Sequence, residues 1–369
     1  MTKQYRVAIV GTGRVGALWE TDPPSGISHA GAFALLPECT LVAGVNRGRA
    51  RLEEFGRRFG VTALYGDYET MLGEVRPDIL CVATHPGSHA AIVEAAVAAG
   101  VRAIFCEKPL ALDMADTDRI IDACNAGGVL LSVNHSRRWY PAYRQARELL
   151  HAGAIGELVA LTGYCQGGKP APSWQSELEG PLLHDATHLF DMLRYFAGDA
   201  RWVAATAQRR RHTQYPVEDD SSALIGFDQG VTAITQVNEL SAYTRFEVEL
   251  HGSNGAMRLG NDGSWIGRPR PIVIEQPPAE HPEFEWQRLE WQPLEFENGP
   301  PAFLQAAREL LAALEGKSGL CSTGADGRAS MEIIEAIYAS QLRGNLPVAL
   351  PLASDSSALV DLAESAGWR

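Results

Sequence analysis

Residues 5–16 read Y-R-V-A-I-V-G-T-G-R-V-G, a short apolar run leading directly into three glycines at fixed spacing. No other feature of the chain narrows its fold as much. The run is a buried strand. Gly11, Gly13 and Gly16 let the chain turn sharply, bring backbone against a pyrophosphate, and pack a helix onto that strand. The helix start that holds Arg14 and Val15 turns free N–H groups and a partial positive charge toward phosphate oxygens. The pattern implies a dinucleotide site at the head of a parallel sheet.

The following hundred residues continue the alternation. Residues 41–45, 79–84, 103–106 and 129–133 read as strands, and 89–99 is an amphipathic helical stretch between two of them. Strands that alternate with helices form a parallel sheet covered on both faces, with ligands at the carboxyl ends of the strands. Gly11, Asn46, Thr84 and Glu107 all fall at such ends. One connection is irregular: within residues 17–40, Thr21-Asp22-Pro23-Pro24-Ser25-Gly26 interrupts the helix that should follow the fingerprint. A loop at that height can lean over the cofactor.

Beyond residue 140 the pattern changes. Helical stretches near 141–152 and 184–196 give way to strands at 157–165, 202–208, 222–227, 231–240, 246–251 and 272–275. Asp228-Gln229-Gly230 and Ser253-Asn254-Gly255 read as hairpin turns. Residues 277–293, rich in Pro, Glu and Trp, read as an exposed excursion, and 301–315 and 326–343 as late helices. Strands without intervening helices form a mostly antiparallel sheet with helices on one face. The fold expected is α/β: a Rossmann domain, residues 1–128, and a substrate-binding and oligomerisation α+β domain, residues 129–369, with a large open sheet. The C-terminal segment is expected to return onto the first domain.

The 369 residues carry 32 basic and 45 acidic side chains, a net charge of −13, which argues against a dedicated nucleic-acid or anionic-membrane binder. The one tight basic run, Arg209-Arg210-Arg211, reads as a solvated strand end. The six cysteines include no C-x-x-C pair and read as free thiols of a reducing compartment. With no signal-like N-terminus and no apolar run of about 18 residues, the expected location is the cytoplasm.

Two further strings carry chemistry. At the end of the second strand, Asn46-Arg47 replaces the acidic residue that would hold ribose hydroxyls; a cation without a carboxylate suits a 2′-phosphate and tilts the reading of NAD(P) toward NADP(H). At a later strand end stands Phe105-Cys106-Glu107-Lys108-Pro109. Lys108, tethered by proline, is placed to hydrogen-bond a substrate hydroxyl and hold a carbon-bound hydride against a nicotinamide.

Together with the glycines, this E-K-P run makes the chain resemble the glucose–fructose oxidoreductase, inositol dehydrogenase and rhizopine-catabolism (Gfo/Idh/MocA) family. Ala83-Thr84-His85-Pro86 with His89 resembles that family's nicotinamide-side turn, Gly153-Ala154-Ile155-Gly156-Glu157 the start of its second domain. Residues 180–198 resemble its substrate-site helix, and 329–351 its closing helix and strand. The resemblance implies a sugar or cyclitol substrate, dimers or tetramers formed through the open sheet, Lys108 as the catalytic lysine, and a cis bond before Pro109. It also implies substrate contacts from Asn134, Arg137 and Arg138, where an arginine suits an anionic group. Lys169 and Trp174, in a glycine- and proline-punctuated loop, are candidates for charge and a stacking face.

In Leu183-His184-Asp185-Ala186-Thr187-His188-Leu189-Phe190-Asp191, helical spacing lets His184, Asp185 and His188 share one face. His188 aligns with the family's acid–base histidine, but His184 stands where an Asp is usual and Asp185 follows it. His188 is favoured as the group that takes the hydroxyl proton, with Lys108 assisting and His184 or Asp185 open as partners. H-D-A-T-H also mimics a zinc-hydrolase spacing; with no third ligand nearby, no metal is expected. Three readings remain: a dehydrogenase or reductase, a redox-neutral glycoside-cleaving relative that recycles its cofactor, and a dinucleotide-binding sensor without catalysis.

Overall fold

The computed structural model describes residues 4–168, 179–271, 287–353 and 355–364. In the first half β1 (Tyr5–Val10) leads through a single π-helical turn (Arg14–Leu18) and a loop to α1 (His29–Ala34). Then come β2 (Cys39–Val45), α2 (Arg49–Phe59), β3 (Leu64–Tyr65), α3 (Tyr68–Val75), β4 (Ile79–Val82), α4 (His89–Ala98), β5 (Ala103–Cys106), α5 (Met114–Gly127) and β6 (Leu130–Val133). All six strands run parallel in the order β3-β2-β1-β4-β5-β6. The reversal of order at β1 opens the crevice in which such sheets bind ligands. Strands β4 and β5 are buried at every position, as a sheet covered on both faces requires.

The second half begins with α6 (Pro141–His151), β7 (Leu158–Gly168), α7 (Pro181–His184) and α8 (Thr187–Ala197). Seven strands follow: β8 (Ala200–Gln208), β9 (Asp220–Phe227), β10 (Thr232–Asn238), β11 (Leu240–Gly252), β12 (Gly255–Gly260), β13 (Gly263–Pro271) and β14 (Gln287–Pro293). The chain closes with α9 (Ala302–Leu314), α10 (Gly324–Leu342), β15 (Val348–Ala349) and α11 (Ala358–Glu364). The second sheet has the order β14-β13-β12-β11-β7-β10-β9-β8-β15; β10 and β7 are parallel and its other pairs antiparallel. Helices α8 and α10 cover one face, burying Leu189, Leu193, Ile333 and Ile337 against Leu161, Val237 and Val248.

Three expectations need correction. The boundary at 128/129 falls one strand too early, because β6 completes the parallel sheet. Residues 287–293 are not excursion but strand β14, paired with β13; the strand expected at 272–275 and the remainder of that excursion lie outside the described residues. The helix expected over 184–196 breaks at Asp185-Ala186 into α7 and α8. Leu304, Leu310 and Leu311 of α9 share a core with Val7 and Ile9 of β1.

The irregular first connection has a physical organiser. The buried Glu20 carboxylate accepts seven hydrogen bonds, from the N–H groups of Thr21, Ser25, Gly26, Ile27 and Ser28 and the hydroxyls of Ser25 and Ser28, at 2.6–3.2 Å. Burial works against its charge, but the bonds from Ser25, Ser28 and Thr21 outweigh it and hold the carboxyl below its ordinary range. Five amides of the loop are satisfied by one anion in place of regular secondary structure.

Candidate active site

A cleft of about 1040 Å³ runs along the carboxyl ends of the parallel strands and is closed on its far side by α7, α8 and residues 134–140. Its glycine floor is tight. A Cβ on Gly11 would lie 2.3 Å from the Ala83 carbonyl oxygen, and one on Gly16 would lie 1.9 Å from that of Gly11. Gly11 also has φ +95°, which disfavours other residues. Gly13 differs: nothing lies within 4 Å of its Cβ direction, so it faces open cleft. Two glycines close the turn and one leaves room, which fits a dinucleotide pyrophosphate at this floor.

Gly11, Gly13, Arg14, Val15, Asn46, Arg47, Thr84, His85 and Pro86 all line this cleft, and Gly16 packs beneath it. Asn46 turns its Oδ1 to the Gly48 N–H at 2.8 Å, leaving Arg47 and Arg51 as the cations at the end of β2. His85 lies 3.8 Å from the buried Glu179 carboxylate, whose hydrogen bond raises the pKa of the imidazole. His89 is not part of the cleft. It is fully buried, with its ring nitrogens on the carbonyl oxygens of Leu110 (3.0 Å) and Thr84 (3.1 Å), so it braces the 84–86 turn from below.

Toward α7 and α8, Lys108 precedes a cis Pro109 and sends its Nζ 2.5 Å from the His184 carbonyl oxygen. Its neighbour Glu107 also lines the cleft, its Oε1 accepting from Asn134 Nδ2 at 2.6 Å and pairing with His29 Nε2 at 2.9 Å. Burial opposes the Glu107 charge, but His29, Asn134 and Lys108 prevail and keep its pKa below the usual range. The His184 ring lies 3.2 Å from Asp185 Oδ2. Burial disfavours the Asp185 charge, yet the neighbouring His184 and the cations Lys108 and Arg137 hold its carboxyl far below the ordinary range.

His188 lines the same space from α8, its Nδ1 buried with no hydrogen-bond partner among the described residues. Burial, followed by the charges of Arg137 and Lys108, pushes its pKa well below the ordinary value and favours the neutral ring. The helix break turns His184, Asp185 and His188 to one wall, a result the assumed continuous helix reached by a different geometry.

The adjacent arginines part company. Arg137 faces the cleft with its guanidinium 3.5 Å over the Phe246 ring. Arg138 points into the protein, donating to both Asp191 oxygens (2.7–3.0 Å) and to Asp326 at 2.9 Å, so the substrate role expected for it is corrected to a structural one. Asn134 lines the cleft, while Lys169 and Trp174 lie outside the described residues. Trp19, Tyr68, Tyr140, Glu179 and Phe303 also line the cleft, and sequence reading named none of them. Only Tyr68 had a local signal, since Asp67 caps α3 there by accepting from Thr70 N–H. Among the described residues no group of three His, Cys, Asp or Glu is placed to hold a metal, and no helix is long and apolar enough to cross a membrane.

The fold and this cleft define an oxidoreductase with an NAD-binding Rossmann domain. Residues 5–135 match the family model described as "Oxidoreductase family, NAD-binding Rossmann fold", and residues 143–258 match the "GFO/IDH/MocA C-terminal domain". The chain belongs to the Gfo/Idh/MocA family. It is 30% identical over 269 residues to a D-apiose dehydrogenase of Paraburkholderia graminis, covering 70% of this chain and 68% of that one. It is 25% identical over 342 residues to an inositol 2-dehydrogenase of Rhizobium meliloti, covering 91% and 96%. An aldose-aldose oxidoreductase from Caulobacter crescentus shares the fold, with a TM-score of 0.77 at 21% identity over 94% of this chain and 100% of that one.

Proposed function

We propose that this enzyme moves a hydride between a nicotinamide cofactor and a secondary hydroxyl or ketone of a sugar, cyclitol or related polyol. The observation that carries the reading is the meeting, in one cleft with the open glycine floor, of Lys108, Asp185 and a buried His188. D-apiose and inositol dehydrogenases among the relatives support the substrate class. A bound nicotinamide supplies the carbon that gives or takes hydride. Gly11, Gly13, Arg14, Val15 and Thr84 would hold its diphosphate and nicotinamide half, and Asn46 and Arg47 its adenosine.

Within the protein, Lys108 orients the reacting oxygen and His188 accepts its proton on oxidation, returning it on reduction. Asp185 lies against His184 at 3.2 Å and balances the cations Lys108 and Arg137. Arg137 and Asn134 are positioned to hold further substrate oxygens. NADP(H) is the preferred cofactor in this reading, because Arg47 and Arg51 flank the end of β2 with no carboxylate on that strand end. Leu224 and Ile234, exposed at 41% and 62% on the uncovered face of the second sheet, support self-association through that face.

Fluorescence titration with NADPH and NADH, on the native chain and on Arg47→Ala, tests the cofactor site. Loss of an NADPH preference in the variant is expected; tighter NADH binding by the native chain would reverse the preference. Turnover on a panel of polyols and sugar ketones tests the reaction. Lys108→Met should lower kcat by about 100-fold or more while cofactor binding persists. Unimpaired turnover in that variant would remove Lys108 from the chemistry.

A further inference from the structure

We propose that Glu218 is a positioning residue of the active site: through the Leu182 N–H it holds the one-turn helix α7, whose last carbonyl receives the Lys108 ammonium. The inference rests on the role proposed for Lys108 and adds to it a residue outside the cleft.

Three observations carry it. First, Glu218 is completely buried between β8 and β9, and both of its oxygens are committed. Oε1 accepts from Leu182 N–H at 3.0 Å, and Oε2 accepts from the Tyr338 hydroxyl of α10 at 2.9 Å. Second, the chain is pressed against this carboxylate: a Cβ on Gly180 would sit 2.4 Å from Glu218 Oε1. Gly180 has φ −78°, so the glycine answers a need for space, not for an unusual backbone. Third, α7 has no side-chain cap of its own at Gly180, its Leu182 and Leu183 are buried, and it ends at His184, whose oxygen lies 2.5 Å from Lys108 Nζ. A single helical turn thus separates a buried carboxylate from the lysine that is to orient substrate.

The surroundings of Glu218 make this hold sensitive to pH. Facing it are the Tyr338 hydroxyl from α10 and the Glu239 carboxylate from the end of β10, with Glu335 further along α10 acting on the same tyrosine. Asp219, next in sequence, is taken up by the N–H groups of Arg210, Arg211 and His212. Among the described residues Glu218 makes no ion pair. Burial pushes its pKa up to about 7; the bonds from Leu182 and Tyr338 pull it down, and Glu239 pushes it up again. Protonation turns the charge-assisted bond to Leu182 into a neutral one of roughly half the strength. The turn under Lys108 loosens as pH falls through neutrality.

The test uses the full chain and two variants. Amide hydrogen exchange over residues 182–186, corrected for intrinsic pH dependence, is measured between about pH 6 and pH 8 on protein alone. The native chain should lose protection toward pH 6, Glu218→Gln should show flat protection, and Glu218→Ala should exchange at least about tenfold faster throughout. In turnover, Glu218→Gln should move the acid limb of the kcat profile to lower pH, and Glu218→Ala should lower kcat about tenfold with cofactor affinity unchanged, the scale of a displaced catalytic group. If Glu218→Gln keeps the native pH dependence of exchange and kcat, the proposal is overturned, whether or not Glu218→Ala folds. Native protein that turns over no polyol with either cofactor, while exchange follows the expected pattern, overturns the reaction assigned to the cleft and leaves Glu218 as the holder of α7.

Discussion

Glu20 and Glu218 are both buried carboxylates, and each fixes a segment that departs from regular structure beside the cleft. Glu20 gathers the loop after the fingerprint; Glu218 holds the turn ahead of the broken helix at Asp185-Ala186. Their environments differ in the number of donors. Seven hydrogen bonds converge on Glu20 and keep it ionised against burial. Among the described residues Glu218 receives from its surroundings those of Leu182 and Tyr338, with the Glu239 carboxylate nearby, and its pKa climbs to about 7. Burial disfavours charge in both places, and the count of donors decides which group stays charged at neutral pH. The N-terminal wall of the cleft is therefore built to be insensitive to pH, while the far wall carries a group poised to titrate.

Removing the better-solvated anion should have the larger effect. Glu20→Ala takes the shared acceptor from five backbone N–H groups and two hydroxyls, and is expected to cost about 3–5 kcal/mol of stability. It should also weaken cofactor binding, because the loop carries Trp19 at the cleft wall. Thermal unfolding with and without NAD(P)H checks both. A loss below about 1 kcal/mol would mean that water replaces the carboxylate, and the contrast with Glu218 would collapse.

A steric version of the comparison comes next. Gly31→Ala would place a Cβ 1.6 Å from Glu20 Oε2, whereas Gly180→Ala would place one 2.4 Å from Glu218 Oε1. Both glycines make room for a carboxylate, and both substitutions force it to move. Gly31→Ala is expected to cost about 2–3 kcal/mol and Gly180→Ala about 1–2 kcal/mol, read from denaturant unfolding. A reversed order would show that the Glu20 loop yields more readily than the turn at Gly180.

These two carboxylates also mark where sequence reading stops. The strand-to-glycine junction, the strand ends at Asn46, Thr84 and Glu107, and Lys108 before Pro109 were legible because local chemistry dictates them: a turn needs glycine, and a parallel strand needs an unbroken apolar run. Phe303 reaches the cleft from the far end of the chain, and Glu218 meets Leu182 across 36 residues, so no spacing announces either. Arg137 and Arg138 are equivalent as a string. Only the pairing of Arg138 with Asp191 and Asp326, supplied by α8 and α10, decides which one faces the cleft. The interruption at residues 21–26 was visible from its prolines, but the organiser Glu20 looked like any surface glutamate. The break at Asp185-Ala186 was hidden for a related reason, since apolar periodicity continues through it and the cap that fixes α7 comes from elsewhere.

The smallest expected effect separates the two anions by sign. Glu20 has a folded pKa below its ordinary value, so it stabilises the protein above the unfolded pKa, and that contribution is lost as pH falls through the folded value. Glu218 is the reverse case. With a folded pKa of about 7 against an ordinary 4.5, the protonated carboxyl favours the folded chain, and this global contribution is lost as pH rises through neutrality even though the single bond to Leu182 strengthens on ionisation. Glu218→Gln removes this dependence, so its stability relative to the native chain should improve by about 1–2 kcal/mol between pH 5 and pH 8. Glu20→Gln, which trades an ionised acceptor for a neutral amide, should be destabilising and nearly constant over the same window. Urea unfolding of both variants at the two pH values reads the difference directly. Parallel pH dependences would mean that Glu218 is already ionised at pH 5, and the titrating group of the far wall would have to be sought at His188 instead.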